Sequence, residues 1–108
     1  MSAIFVYVTT ANRDEALRIG RTLVGERLAA CANVIEGMRS IYRWNDEVRD
    51  EGETVLILKS LAAALPALTE RVKALHSYDC PCVAALPVAG GNPAFLDWIA
   101  AEVAIPPG

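Results

Sequence analysis

From Ala3 to Thr9 the chain is apolar at nearly every position and rich in Ile, Val, Phe and Tyr. That is the pattern of a strand buried on both faces at the centre of a sheet. Asn12 follows as a helix N-cap, with Asp14 and Glu15 in the first turn, where the helix dipole favours anions. Leu17, Gly20, Val24 and Leu28 recur at helical spacing and predict a helix from Arg13 to about Arg27, with Gly20 allowing close approach to the sheet. Ala30 to Ile35 reads as a second strand, Gly37 as a bulge, and Met38 to Trp44 as its extension. Asn45-Asp46 tolerates positive φ and predicts a two-residue turn, from which Val48 to Ser60 returns as a third strand. The half of this hairpin nearest the turn, Glu47 to Glu53, is charged, whereas Thr54 to Leu58 is apolar. One end therefore belongs to the core and the other projects from it. Pro66 opens a second helix with a stripe of Leu68, Val72 and Leu75 and an end near His76. Pro81 separates it from a fourth strand, Val83 to Val88. Gly90-Gly91 breaks the chain, and Asn92 caps a last helix whose buried face is Phe95, Leu96, Ile99 and Val103.

The order β-α-β-β-α-β plus a C-terminal helix is the split-βαβ, ferredoxin-like arrangement of the α+β class. It predicts an antiparallel sheet with two helices on one face, a long hairpin between strands two and three, a single domain over residues 1–104 and a short tail at 105–108. The second sheet face stays bare, and an oligomer that packs such faces together covers it economically.

Composition narrows the function. The 108 residues are 54% hydrophobic and 21% charged, which excludes disorder. Ten Lys and Arg against thirteen Asp and Glu give a net charge of −3, which argues against nucleic acid and anionic lipid as partners. No window reaches the ~18 apolar residues of a membrane span. The N-terminal apolar run lacks a basic stretch before it and a cleavage pattern after it, so it reads as a strand and not as a secretory signal. Three cysteines cannot close a disulfide framework and point to a reducing, cytoplasmic setting.

Chemistry concentrates in one short stretch. His76, Cys80 and Cys82 fall within seven residues between the second helix and the fourth strand. Imidazole with two thiolates suits Cu(I) or Zn(II), with Cys31 as a weaker accessory. The competing reading is structural: His76 ends a helix, Cys82 and Cys31 pack as small apolar groups, and Cys-x-Cys alternation sends the two sulfurs to opposite faces unless Pro81 relaxes it. Tyr42 and Trp44 share one hairpin face and are expected at a subunit interface, as large aromatics on a projecting element often are. Glu53 and Lys59 share a sheet face, and Lys59 either meets an anionic ligand or snorkels to solvent. Enzyme signatures are absent: there is one histidine, no G-x-S-x-G and no H-E-x-x-H. The carboxylates at Glu47, Asp50, Glu51 and Glu53 read as a solvated hairpin surface.

Four stretches together resemble the CutA divalent-cation tolerance family: LAACANVI (Leu28 to Ile35), SIYRWNDEVRDEGETVLILKS (Ser40 to Ser60), HSYDCP (His76 to Pro81) and GNPAFLDWI (Gly91 to Ile99). Ser40, Tyr42, Trp44, Glu53 and Lys59 match the family's hairpin pattern. Ser77, Asp79 and Cys82 depart from it, standing where Pro, Glu and Glu are usual. The resemblance implies a ferredoxin-like homotrimer similar to the PII signalling trimers, linked to metal-ion response and copper binding. The expected function is accordingly a non-enzymatic homotrimer binding a metal ion or small ligand. The alternative is an enzyme acting on a small anionic substrate at an intersubunit cleft through Lys59, His76 or Tyr78.

Overall fold

The computed structural model of the chain describes residues 2–105, so the expected tail lies outside the described residues beyond Ile105. The elements are β1 (Ala3–Thr10), α1 (Arg13–Gly25), β2 (Cys31–Trp44), β3 (Glu47–Leu61), a single 3-10 turn (Ala62–Ala64), α2 (Leu65–Leu75), β4 (Val83–Pro87) and α3 (Pro93–Glu102). The four strands form one antiparallel sheet in the order β2-β3-β1-β4, as the split-βαβ reading requires. Among the described residues no helix is long and apolar enough to cross a membrane.

β1 is central, but its two faces differ. Ile4, Val6, Val8 and Thr10 are buried, while the alternate residues are only partly covered. Both α1 and α2 pack on the first face: Ala16, Ile19, Leu23, Leu68 and Val72 meet Ile4, Val6, Val8, Leu56 and Leu58 there. The opposite face carries the cross-strand rows Phe5–Lys59–Cys31, Tyr7–Ile57–Asn33 and Thr9–Val55–Ile35.

The buried stripe of α1 is Ala16, Ile19, Gly20 and Leu23, one step round from the expected Leu17 and Val24. Gly20 sets this phase. A Cβ there would stand 3.1 Å from Ala32 Cβ and 3.3 Å from Leu56 Cδ1, so the helix rests on the sheet at its smallest residues. The helix ends at Gly25, short of Arg27, because Arg27 takes φ 61°. That turn aims its guanidinium at the end of α3, where it donates to Ala101 O at 2.9 Å and Glu102 O at 3.0 Å.

β2 and β3 pair along the whole hairpin, with a register shift between Ile35 and Met38 and Gly37 at φ 82°. Asn45 (φ 49°) and Asp46 (φ 62°) make the two-residue turn. The hairpin projects, and the molecule measures 43 × 27 × 23 Å. α3 is capped by Asn92, whose Oδ1 accepts from Ala94 N–H at 3.1 Å. Its Ile99 and Val103 close a small core with Ala30, Leu61 and Ala64. Phe95, expected on that buried face, lies instead against the sheet's open side, stacked with Trp98 at 5.8 Å.

Candidate functional site

The turn after α2 is tied to the start of α1 by one carboxylate. Asn12 Oδ1 accepts Glu15 N–H at 2.9 Å, and Glu15 Oε1 returns to Ala11 N–H at 3.0 Å, a variant of the capping box. The second oxygen, Oε2, accepts Ser77 N–H at 2.9 Å. Burial pushes the Glu15 carboxyl up, but the hydrogen bonds from Ala11 and Ser77 outweigh it and hold the group below its ordinary 4.5. A depressed carboxyl contributes stability that is present above its unfolded value and lost as pH falls through the folded one. Glu15→Gln is therefore expected to cost about 1–2 kcal/mol at pH 7 and much less at pH 3, measured by urea unfolding. A gap that does not narrow on acidification would remove this role.

His76 is fixed by its two ring nitrogens. Its side chain is 0% exposed. Nε2 stands 2.8 Å from Thr9 O, and a carbonyl only accepts, so Nε2 carries the hydrogen. Nδ1 then accepts Tyr78 N–H at 3.0 Å. The ring is the neutral Nε2–H tautomer with both nitrogens satisfied, and its one lone pair is committed to Tyr78. Tyr78 packs its ring 4.7 Å from the imidazole and donates its hydroxyl to Glu53 Oε2 at 2.8 Å. Burial, then the Glu53 hydrogen bond and charge, push the Tyr78 phenol well above its ordinary value.

A cleft of about 700 Å³ opens between this turn and the hairpin. Tyr42, Trp44, Arg49, Glu51 and Glu53 line one wall; Tyr78, Asp79, Cys80 and Cys82 line the other. The side chains from the hairpin all come from one face, since Tyr42 pairs with Arg49, Ser40 with Glu51 and Met38 with Glu53. That face continues the open side of the sheet. Glu53 is half-buried and hydrogen-bonded, so the carboxylate run is not wholly the solvated surface expected of it. Arg49 joins this wall with no sequence motif to mark it: its Nη atoms reach Glu47 at 4.0 Å and Glu51 at 3.8 Å, and its Nε is buried with no hydrogen-bond partner.

The expected His76, Cys80, Cys82 and Cys31 set is not assembled. Among the described residues no group of three or more His, Cys, Asp or Glu side chains is placed to hold a metal ion. His76 has no free lone pair, and Cys31 lies at the far end of the sheet, opposite Lys59, on a groove with Gly20, Val24 and Trp98. Cys80 and Cys82 do share the cleft, both exposed, because Pro81 holds them ahead of β4 and outside the strand's alternation. Burial and the Glu53 charge push the Cys82 thiol up. Lys59 and Tyr78, each a candidate for ligand contact, are apart: Tyr78 lines the cleft and Lys59 does not. Lys59 Nζ sits between the rings of Phe5 at 5.4 Å and Phe95 at 5.3 Å, outside the cleft.

Residues 4–102 match the sequence family described as CutA1 divalent ion tolerance protein. The chain is 48% identical over 94 residues to the divalent-cation tolerance protein CutA of Thermus thermophilus, covering 87% of this chain and 91% of that one. It is 44% identical over 97 residues to the chloroplastic CutA 1 of Oryza sativa, covering 90% of this chain and 55% of that protein, so it spans about half the length of the plant relative. The solved Thermus thermophilus structure superposes with a TM-score of 0.93 at 44% identity, covering 94% of this chain and 99% of that one. That of Oryza sativa CutA1 gives 0.94 at 41% identity, covering 96% and 95%.

Proposed function

Since the chain belongs to the CutA1 divalent ion tolerance family, we propose that it acts in the response to metal ions as a cytoplasmic homotrimer without an enzymatic step. The reading rests on one observation, the sheet's open face and the hairpin that extends it. Trp44 and Tyr42 are 54% and 37% exposed on the hairpin face that continues this side, and Ile35 and Leu86 are exposed on the sheet; Ile41 and Val48 are exposed on the hairpin's other face. Large apolar side chains left open along one side of so small a chain mark a protein contact, and a second copy of the same face satisfies it in a closed assembly. Three copies, in the manner of the PII signalling trimers, is the number the family resemblance favours. The cleft then lies between subunits.

Copper is the metal we assign, as Cu(I) on Cys80 and Cys82. Soft thiolates select such ions, and these two are the free donors that share a cleft. Both ring nitrogens of His76 are committed to backbone groups, so the imidazole does not serve as a base for either thiol, which supports a binding role over catalysis. The cleft's carboxylates weigh against the alternative of an anionic substrate.

Light scattering at micromolar concentration tests the assembly. A mass near three times 11.6 kDa is expected, and a clean 11.6 kDa species overturns the reading. Trp44→Ala is expected to weaken the trimer by about 2 kcal/mol, read from its dissociation on dilution. An unchanged dilution profile places Trp44 outside the interface.

A further inference from the structure

We propose that the cleft binds a small organic ammonium ion, its apolar body against Tyr42, Trp44 and Tyr78 and its charge against Glu51 and Glu53. The volume of about 700 Å³ is that of a small-molecule pocket. Its walls combine those aromatic side chains with three carboxylates, Glu51, Glu53 and Asp79, and one guanidinium, Arg49. Arg49 offsets part of that charge, standing 3.8 Å from Glu51 and 4.0 Å from Glu47, and one guanidinium against three carboxylates leaves the walls net negative. Among the described residues no ion pair reaches Glu53, whose hydrogen-bond partner is the Tyr78 hydroxyl. Neither His76 nor Lys59 takes that place. His76 commits its ring nitrogens to Thr9 O and Tyr78 N–H. Lys59 shares the Glu53 face, but six residues along a strand is roughly 20 Å, and its ammonium is occupied by Phe5 and Phe95.

A carboxylate that meets only a hydroxyl, set between aromatic walls, favours a positive guest. The aromatic walls select which kind. A hard, strongly hydrated ion gains little from a ring face, whereas an alkylammonium gains from both the ring and the carboxylate. The inference is independent of the Cu(I) assignment, which uses the thiols.

The test uses the assembled full-length protein at low ionic strength in a Trp98→Phe background, so that Trp44 is the sole indole. Tetramethylammonium and 1,4-diaminobutane are titrated against tert-butanol, acetate and Mg(II), with Trp44 fluorescence as the readout. Saturable change is expected with both ammonium compounds, weakening with added salt. Glu53→Gln and Glu51→Gln are each expected to weaken it by roughly tenfold, and Lys59→Ala to leave it unchanged. Gln at position 53 can still accept the Tyr78 hydroxyl, so the fold is kept. The proposal is overturned by equal binding of tert-butanol, by Mg(II) competing for the same change, by indifference to both Gln variants, or by no saturation with either amine.

Discussion

His76→Ala is expected to destabilise the fold by about 3 kcal/mol while leaving Cu(I) affinity within about twofold of the parent protein. The stability loss follows from two hydrogen bonds that end on a fully buried ring. Thr9 O at 2.8 Å and Tyr78 N–H at 3.0 Å both lose their partner, and each stranded group costs about 1–3 kcal/mol. The space left by the imidazole adds a cavity penalty. Partial replacements separate the two bonds. Asn at 76 presents an oxygen near the Nδ1 position and can keep the Tyr78 bond; Gln presents an N–H near Nε2 and can keep the Thr9 bond. Each is expected to recover roughly half of the loss, in urea melts at pH 7. The expectation on Cu(I) has the opposite basis, since a ring without a free lone pair contributes none to a metal. A His76→Ala protein that folds as stably as the parent, or binds Cu(I) a hundredfold more weakly, would return His76 to the ligand set.

That contrast shows what the sequence could and could not carry. The two φ-positive residues Asn45 and Asp46, the bulge at Gly37, Pro66 in the first turn of α2 and the Asn92 cap all act locally, within a few residues of their own position. Such signals give the element boundaries and the hairpin length directly. The site depends on pairings across the chain: Glu15 with Ser77, His76 with Thr9, and Tyr78 with Glu53. Proximity of His76 to Cys80 along the chain suggests ligands, but the helix end turns the imidazole into the interior and leaves the thiols outside. One local signal does bear on the site. Asn12-x-x-Glu15 is the spacing of a capping box, which by itself assigns Glu15 a structural task. The alternation Arg49, Glu51, Glu53 likewise puts three charges on the hairpin face that carries Tyr42 and Trp44, so the composition of the cleft wall is implicit in period two. The phase of α1 is not. Leu17 and Val24 are the larger apolar residues, but the tight seat at Gly20 brings Ala16, Ile19 and Leu23 to the sheet instead.

Cys80→Ser and Cys82→Ser are each expected to weaken Cu(I) binding by roughly a hundredfold or more, with Cys31→Ser close to neutral. With only two thiols facing one cleft, losing either leaves a single soft donor and no second residue to replace it. Cys31 lies on another groove and cannot substitute. The pH dependence has a definite sign. Burial and the nearby Glu53 charge keep Cys82 protonated above the usual thiol range, so Cu(I) must displace a proton and its affinity rises with pH. Glu53→Gln removes the charge that holds that proton and is expected to strengthen Cu(I) binding modestly at pH 7, the reverse of its effect on an ammonium guest. Competition against a colorimetric Cu(I) chelator under reducing conditions, from pH 6 to 8, reads all four variants. If both Cys→Ser proteins compete as well as the parent, the Cys80-Pro81-Cys82 turn is structural and the copper assignment fails, whereas the ammonium titration stands or falls on its own carboxylates.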